Sequence, residues 1–201
     1  MQETGRASTS PTNKFFVIFV LFVVKKIKME ESLKRIDLPI YENNLTVGEQ
    51  VFLTGYIYTA RDAAHAKLFG MLNAGEKLPI DLNGACIYYA GPTPAKPGRA
   101  IGSCGPTTSK RMDKYAPAFY DLGVNCVIGK GPVSKETEQA IIRNGAVYFA
   151  AVGGVGALLS RCMKSCEVVA LPELLSEAIH KIYVEDMPVF VAITEKGSIF
   201  D

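Results

Sequence analysis

Between residues 124 and 194 short apolar runs alternate with capped, helix-like segments, and this alternation most restricts what the chain can become. "VNCVIGKG" (124–131), "AVYFAAVGG" (146–154), "CEVVAL" (166–171) and "MPVFVAIT" (187–194) read as strands, the first two ending in glycine. Between them, "SKETEQAIIRNG" (134–145), "VGALLSRCM" (155–163) and "PELLSEAIHKIYV" (172–184) read as helices. Ser134 is the expected N-cap of the first, with acidic residues in its first turn and Gly145 at its end, and Pro172 suits a first helical turn. Strands regularly exchanged for helices imply an α/β fold with a substantially parallel portion in its sheet.

The half before residue 124 is less regular. "GEQVFLTGYIYTA" (48–60) alternates as a strand does, and "RDAAHAKLFGMLNAG" (61–75) reads as a helix closed by Gly75. "ACIYYAG" (85–91) is a short apolar strand, followed by the proline-punctuated loop or edge strand "PTPAKPGRAIG" (92–102). "RMDKYAPAFYDLG" (111–123) reads as one helix running through Pro117 to Gly123. This half is expected to be hairpin-like. No internal repeat or low-complexity segment interrupts it, and residues 29–201 are read as a single domain. An apolar content of 48% with 21% charged residues supplies a core for that domain.

Residues 1–28 stand apart. A polar stretch precedes "FFVIFVLFVV" (Phe15–Val24), and "KKIKMEES" follows it. Ten apolar residues fall short of the roughly 20 that span a bilayer, and no small-residue cleavage site follows. The segment is read as an extension or a misassigned start, with a membrane anchor as the alternative. A formal charge of +2 and the lack of a basic stripe with interleaved aromatics set nucleic acid aside. Cys86, Cys104, Cys126, Cys162 and Cys166 are odd in number and scattered, which suits reduced, packed thiols in a cytoplasm. Cys162 and Cys166 are spaced to share a helical face, yet two thiols are half of a metal site and no Cys/His pair completes it. No metal ligands are therefore expected in this chain.

The residues able to do chemistry are cations and hydroxyls at element junctions. In "GSCGPTTSKRMDKY" (102–115) the glycines permit close approach of backbone to a ligand, Thr107 and Thr108 offer hydroxyls at a helix start, and Arg111 follows one turn after Thr107. A capped helix with exposed Lys110 and Arg111 explains the stretch as well as an anion seat does. Arg61 and His65 lie one turn apart where a strand gives way to a helix, the usual place for ligands in α/β folds. Asp62 and Lys67 have simple surface explanations, and His65 is read as a hydrogen-bonded structural residue. Lys130 sits between glycines at a strand end, as a turn residue or a cation aimed into a pocket. Gly153, Gly154 and Gly156 do not have dinucleotide-loop spacing and read as close packing near a pocket. Paired catalytic carboxylates, a nucleophile with its base and a complete metal site are all missing from the sequence, so this inventory is the anion-holding half of an active site.

The phrases "TARDAAH", "IYYAGPTPAKPGRAIGSCGPTTSKRMD", "VIGKG" and "AVYFAAVGGVGALL" together resemble the β subunit of class I fumarate hydratases and L(+)-tartrate dehydratases, the C-terminal domain of single-chain members. The resemblance covers roughly residues 32–200. It implies a swivelling β/β/α domain with a mixed sheet and a hydro-lyase that interconverts fumarate and (S)-malate. It also implies an α subunit partner that carries a [4Fe–4S] cluster on three cysteines, in an α2β2 heterotetramer. Carried over residue by residue, Arg61, Arg111 and Lys130 would hold the substrate carboxylates with Thr107 and Thr108 beside them, and Thr107 would move the C3 proton. A hydroxyl is a poor base in water, so that role calls for a partner group. The chain alone would be inactive. Two other readings remain: the β subunit of a tartrate dehydratase, and a non-catalytic anion-binding module.

Overall fold

The computed structural model describes residues 34–41 and 44–200. The extension 1–28 and its apolar run lie outside the described residues. In chain order the strands are β1 (Lys34–Asp37), β2 (Gln50–Thr59), β3 (Cys86–Tyr88), β4 (Cys126–Gly129), β5 (Val147–Ala150), β6 (Met163–Ala170), β7 (Ile179–Thr194) and β8 (Gly197–Ser198). The α-helices are α1 (Asp62–Asn73), α2 (Ala116–Asp121), α3 (Lys135–Arg143) and α4 (Gly156–Leu159). Among the described residues no helix is long and apolar enough to cross a membrane.

The sheet is mixed and closes on itself. β2, β3, β4 and β5 are parallel in that order, with Thr59 opposite Tyr88, Cys86 opposite Cys126, and Cys126 opposite Val147. β7 then runs antiparallel to β5, with Val191 opposite Phe149, and antiparallel to β2, with Val189 opposite Val51. The hydrogen-bonded ladder therefore returns to the strand it started from. β1 adds in parallel beside the first half of β2, and β6 and β8 pair with β7.

Strand side chains alternate between two faces, and here each face has its own core. Val51, Leu53, Cys86, Tyr88, Cys126, Ile128, Val147, Phe149, Val189 and Val191 share one buried cluster, enclosed by the ring. Their neighbours Ile87, Val127 and Tyr148 face the other way, against Ala64 and Leu68 of α1, Phe119 of α2 and Ile141 of α3. Helices thus cover the outside of the parallel strands, as buried parallel strands require. The local signals of α3 hold: the Ser134 hydroxyl accepts from the Thr137 amide at 3.2 Å, Glu136 and Glu138 lie in the first turn and Arg143 in the last. Such a cap contributes about 1 kcal/mol.

Several expectations need correction. The first half is parallel rather than hairpin-like, because β1, β2 and β3 all run the same way. The helix expected over 111–123 is two pieces, a 3-10 turn at Ser109–Met112 and then α2, with Pro117 in the first turn of α2, where its missing N–H costs nothing. The segment 155–163 holds only the short α4 and a 3-10 turn at Ser160–Cys162, and β6 already begins at Met163. Cys162 and Cys166 therefore share no helical face. The largest miss is 172–184, where only Pro172–Glu177 is helical, in 3-10 form and kinked at Leu175 (φ 53°). From Ile179 onward the chain is β7, held between β2 and β6.

Candidate functional site

The parallel strands β2, β3 and β4 deliver their C-terminal ends to one edge, the place where open α/β sheets hold ligands. Arg61 and Asp62 follow β2, Tyr89 to Gly91 follow β3, and Lys130 follows β4. The segment 106–109 folds back over this edge. Pro106 bridges Ala90, the Thr107 amide donates to the Tyr89 carbonyl at 2.7 Å, and Thr108 bridges Lys130 in parallel. Loop residues far apart in sequence are thereby fixed to strand ends by backbone hydrogen bonds.

Arg61, Thr107 and Arg111 form one side-chain network. Arg111 donates through Nη2 to the Thr107 Oγ1. Its Nε lies 3.4 Å from Asp62 Oδ1, while Asp62 Oδ2 accepts from Arg61 Nε at 3.4 Å. Glu177 approaches Arg61 Nε at 3.7 Å and accepts from the Ala63 amide at 2.8 Å, anchoring the start of α1. Gly91 has to be glycine here, because a Cβ would stand 2.6 Å from the Ser176 carbonyl and 3.1 Å from Arg61 Cδ.

Lys130 is placed by a different device. Its amide donates to Ser109 Oγ at 3.0 Å, Ser109 and Tyr148 hydroxyls lie 2.8 Å apart, and Tyr148 donates to the Gly131 carbonyl at 2.8 Å. Both hydroxyl residues are fully buried. A Cβ on Gly129 would fall 2.0 Å from Ser109 Oγ, and one on Gly153 would fall 2.9 Å from Lys130 Cδ. Gly153 and Gly156 are thus close packing, the first against Lys130 and the second against Ser103 and Gly105, whereas Gly154 has open space around it and is instead held at a positive φ of 80°. Among the described residues the Lys130 ammonium makes no ion pair.

The structure therefore gathers Arg61, Thr107 and Arg111 by side-chain contact and sets Thr108 and Lys130 beside them through the backbone. The simple capped-helix account of 107–111 fails, since the exposed Thr108 makes no cap hydrogen bond and the helix is a single 3-10 turn. A helix dipole is equally unavailable there, so the cations themselves must attract any anion. Asp62 is not a plain surface residue, because it lies between two guanidinium groups. The sequence signal for that was only its place beside Arg61. Lys67, by contrast, pairs with Glu173 at the surface.

His65 is fully buried, its Nδ1 donating to the Arg61 carbonyl at 3.1 Å, with the rings of Tyr89 and Phe119 at 5.1 and 5.2 Å. Burial lowers its pKa to about 4, so at neutral pH it is an uncharged structural residue. Among the described residues no group of three or more His, Cys, Asp or Glu could hold a metal ion. Cys86 and Cys126 face each other inside the ring, burial pushes the Cys126 thiol well up, and the Cys104 thiol is pushed up to about 12. All three lie in the packed core of the ring, and among the described residues no set of three or more ligands converges on them as a cluster requires.

The family model described as fumarase C-terminus matches residues 18–201 of the chain. Fumarate hydratase 2 of Leishmania major is 42% identical over 154 residues, which are 76% of this chain and 27% of that protein. The anaerobic class I fumarate hydratase of Escherichia coli K12 is 41% identical over 156 residues, 77% of this chain and 28% of that protein. A Methanocaldococcus jannaschii protein provisionally named L(+)-tartrate dehydratase subunit beta is 42% identical over 160 residues, 77% of this chain and 82% of that protein. The chain thus spans about a quarter of the length of the fumarate hydratases it matches and most of the length of the separate subunit.

Proposed function

Since the chain belongs to the fumarase C-terminus family, we propose that it is the substrate-holding β subunit of a hydro-lyase, adding water reversibly to fumarate to give (S)-malate. The observation that carries this reading is the union of Arg61, Thr107, Arg111 and Lys130 at one edge of the parallel strands. Cations from the ends of β2 and β4 and from the 3-10 turn folded over them suit a ligand with two separated carboxylates, and a guanidinium can grip a carboxylate bidentately.

In this reading Arg61 and Arg111 hold the carboxylates, with Lys130 and Thr108 completing the seat. Thr107 exchanges the C3 proton. The guanidinium that donates to its oxygen favours loss of the hydroxyl proton, which answers in part the weakness of a hydroxyl as a base. The [4Fe–4S] group is assigned to a cluster-bearing α subunit, in an α2β2 assembly in the cytoplasm, and the described residues of this chain bring no three ligands together for it. The relative that this chain nearly spans is named as a subunit, which supports the two-chain arrangement.

The same relative is the specific reason for keeping tartrate dehydratase as the second reading. Tartrate is also a four-carbon dicarboxylate, and the same cations would hold it. Co-expression of the chain with its α partner under anaerobic conditions, followed by parallel assays with fumarate and L(+)-tartrate, separates the two. Turnover of neither substrate overturns both.

A further inference from the structure

We propose that Asp62 is a positioning residue for the dicarboxylate site: its single carboxylate sets the two arginines in register and fixes which of their nitrogens face the substrate. This inference rests on the functional reading above. Arg61 and Arg111 come from different loops, one opening α1 and the other in the 3-10 turn after Thr107. Asp62 meets both through opposite oxygens, Oδ2 toward Arg61 Nε and Oδ1 toward Arg111 Nε, each at 3.4 Å. Two guanidinium groups this close repel one another, and the shared carboxylate offsets that repulsion before any ligand arrives.

The choice of nitrogen matters as much as the charge. An arginine presents five N–H donors in a planar fork. With Nε of each turned to Asp62, the terminal amino groups are left for other acceptors, and one of those on Arg111 reaches Thr107. Asp62 thereby orders the side of each guanidinium that a substrate carboxylate can engage, and it links Arg61 to Thr107 through Arg111. Glu177 is no substitute. It contacts Arg61 alone, and its other oxygen is committed to the Ala63 amide. The two 3.4 Å contacts are longer than the 2.7–2.9 Å of a tight charge-assisted bond. Asp62 therefore guides the arginines without saturating them, and their remaining donors stay available to a dianion.

The competing explanation is structural. Asp62 is the first residue of α1, where an acidic side chain favours the helix dipole. Asp62→Asn separates the two, since it keeps the shape and one acceptor oxygen and removes the charge. In the complex with the α subunit, Asp62→Asn is expected to raise KM for the dicarboxylate at least tenfold, with a smaller fall in kcat, and Asp62→Glu to recover part of the loss. In an Arg111→Lys background the same substitution is expected to cost much less, because the partner it positions has already been altered. An Asp62→Asn enzyme within twofold of wild type, or losses that multiply independently with Arg111→Lys, overturns the proposal. So does a lowered melting temperature with KM unchanged. Wild-type turnover in the same assay scores the functional reading separately: an active wild type with an indifferent Asp62 sinks only this inference, and an inactive wild-type complex sinks both.

Discussion

The bond from Arg111 to Thr107 ties a charge to a hydroxyl, and the two residues are expected to fail differently. Arg111→Lys keeps the charge and loses the planar fork. A charge-assisted hydrogen bond contributes about 1.5–3 kcal/mol, and about 1.4 kcal/mol is a factor of ten. The substitution is expected to lower kcat/KM at least tenfold. The melting temperature should hardly move, because the half-exposed Arg111–Asp62 pair adds little to stability. Thr107→Val keeps the shape and removes the hydroxyl, so kcat is expected to fall more than substrate affinity. Steady-state kinetics of the complex and a melting curve of each variant check both outcomes. His65 supplies a further residue-scale test. Its pKa is lowered on folding, from an ordinary value of 6.5 to about 4, so the unfolded chain binds a proton that the folded chain refuses. Stability is then complete above about pH 6.5, falls as pH drops toward 4, and levels off below that, with a total loss of roughly 3 kcal/mol from this group. His180 is shifted the same way by burial and adds to the slope. Denaturant titrations between pH 7 and 4 should show this fall, flattened by about one proton in His65→Gln; an unchanged slope would remove His65 as the cause.

At the scale of elements, what the sequence made legible was whatever is decided locally. The Ser134 cap, the alternation of β2 and Gly75 after α1 are short-range signals, and those elements stand where they were expected, while Gly123 closes α2 although the helix expected before it is split. The stretch 178–184 was misread because its backbone state is decided from outside. Its helix-compatible residues become strand only because β2 and β6 flank them with unpaired edges. Pro188 within β7 hid the continuity further, since proline argues against a central strand. It is accommodated beside a register shift opposite Leu53 and Gly55, where Asp186 takes a positive φ and donates its amide to Thr54 Oγ1. The candidate site divides in the same way. Arg61, Thr107, Arg111 and Lys130 were visible as residue types at junctions, whereas Asp62 and the Ser109–Tyr148 clamp depend on partners that no local pattern names. The clamp carries its own prediction. Tyr148→Phe removes the bond to Gly131 and leaves the buried Ser109 hydroxyl without its tyrosine partner, at a cost of about 1–3 kcal/mol. The melting temperature is expected to fall by roughly 2–4 °C per kcal/mol, and KM to rise as Lys130 loosens. A lower melting temperature with KM unchanged would confine the clamp to stability.

At the scale of the whole molecule, the described residues form a closed ring, and the function proposed above leaves their chemistry half-built. The ring of β2, β3, β4, β5 and β7 leaves no unpaired edge within itself, and both of its faces are packed. Closure of this kind removes the exposed strand edges that would otherwise call for a neighbour. Nothing in the described core therefore calls for a partner, while in the function proposed above the group that takes up the departing hydroxide comes from the α subunit. The closed ring and the proposed function predict opposite dependence on that subunit. The isolated chain is expected to unfold in a single cooperative transition, with the same midpoint by far-UV and near-UV circular dichroism, and to show no hydration of fumarate at any concentration. Activity is expected only after anaerobic mixing with the α subunit, and it should be lost when that subunit's cluster is oxidised, while the melting curve of the isolated chain is indifferent to oxygen. If the isolated chain has no cooperative transition, the ring is not a self-sufficient unit. If it hydrates fumarate alone, the division of labour between the two subunits is wrong.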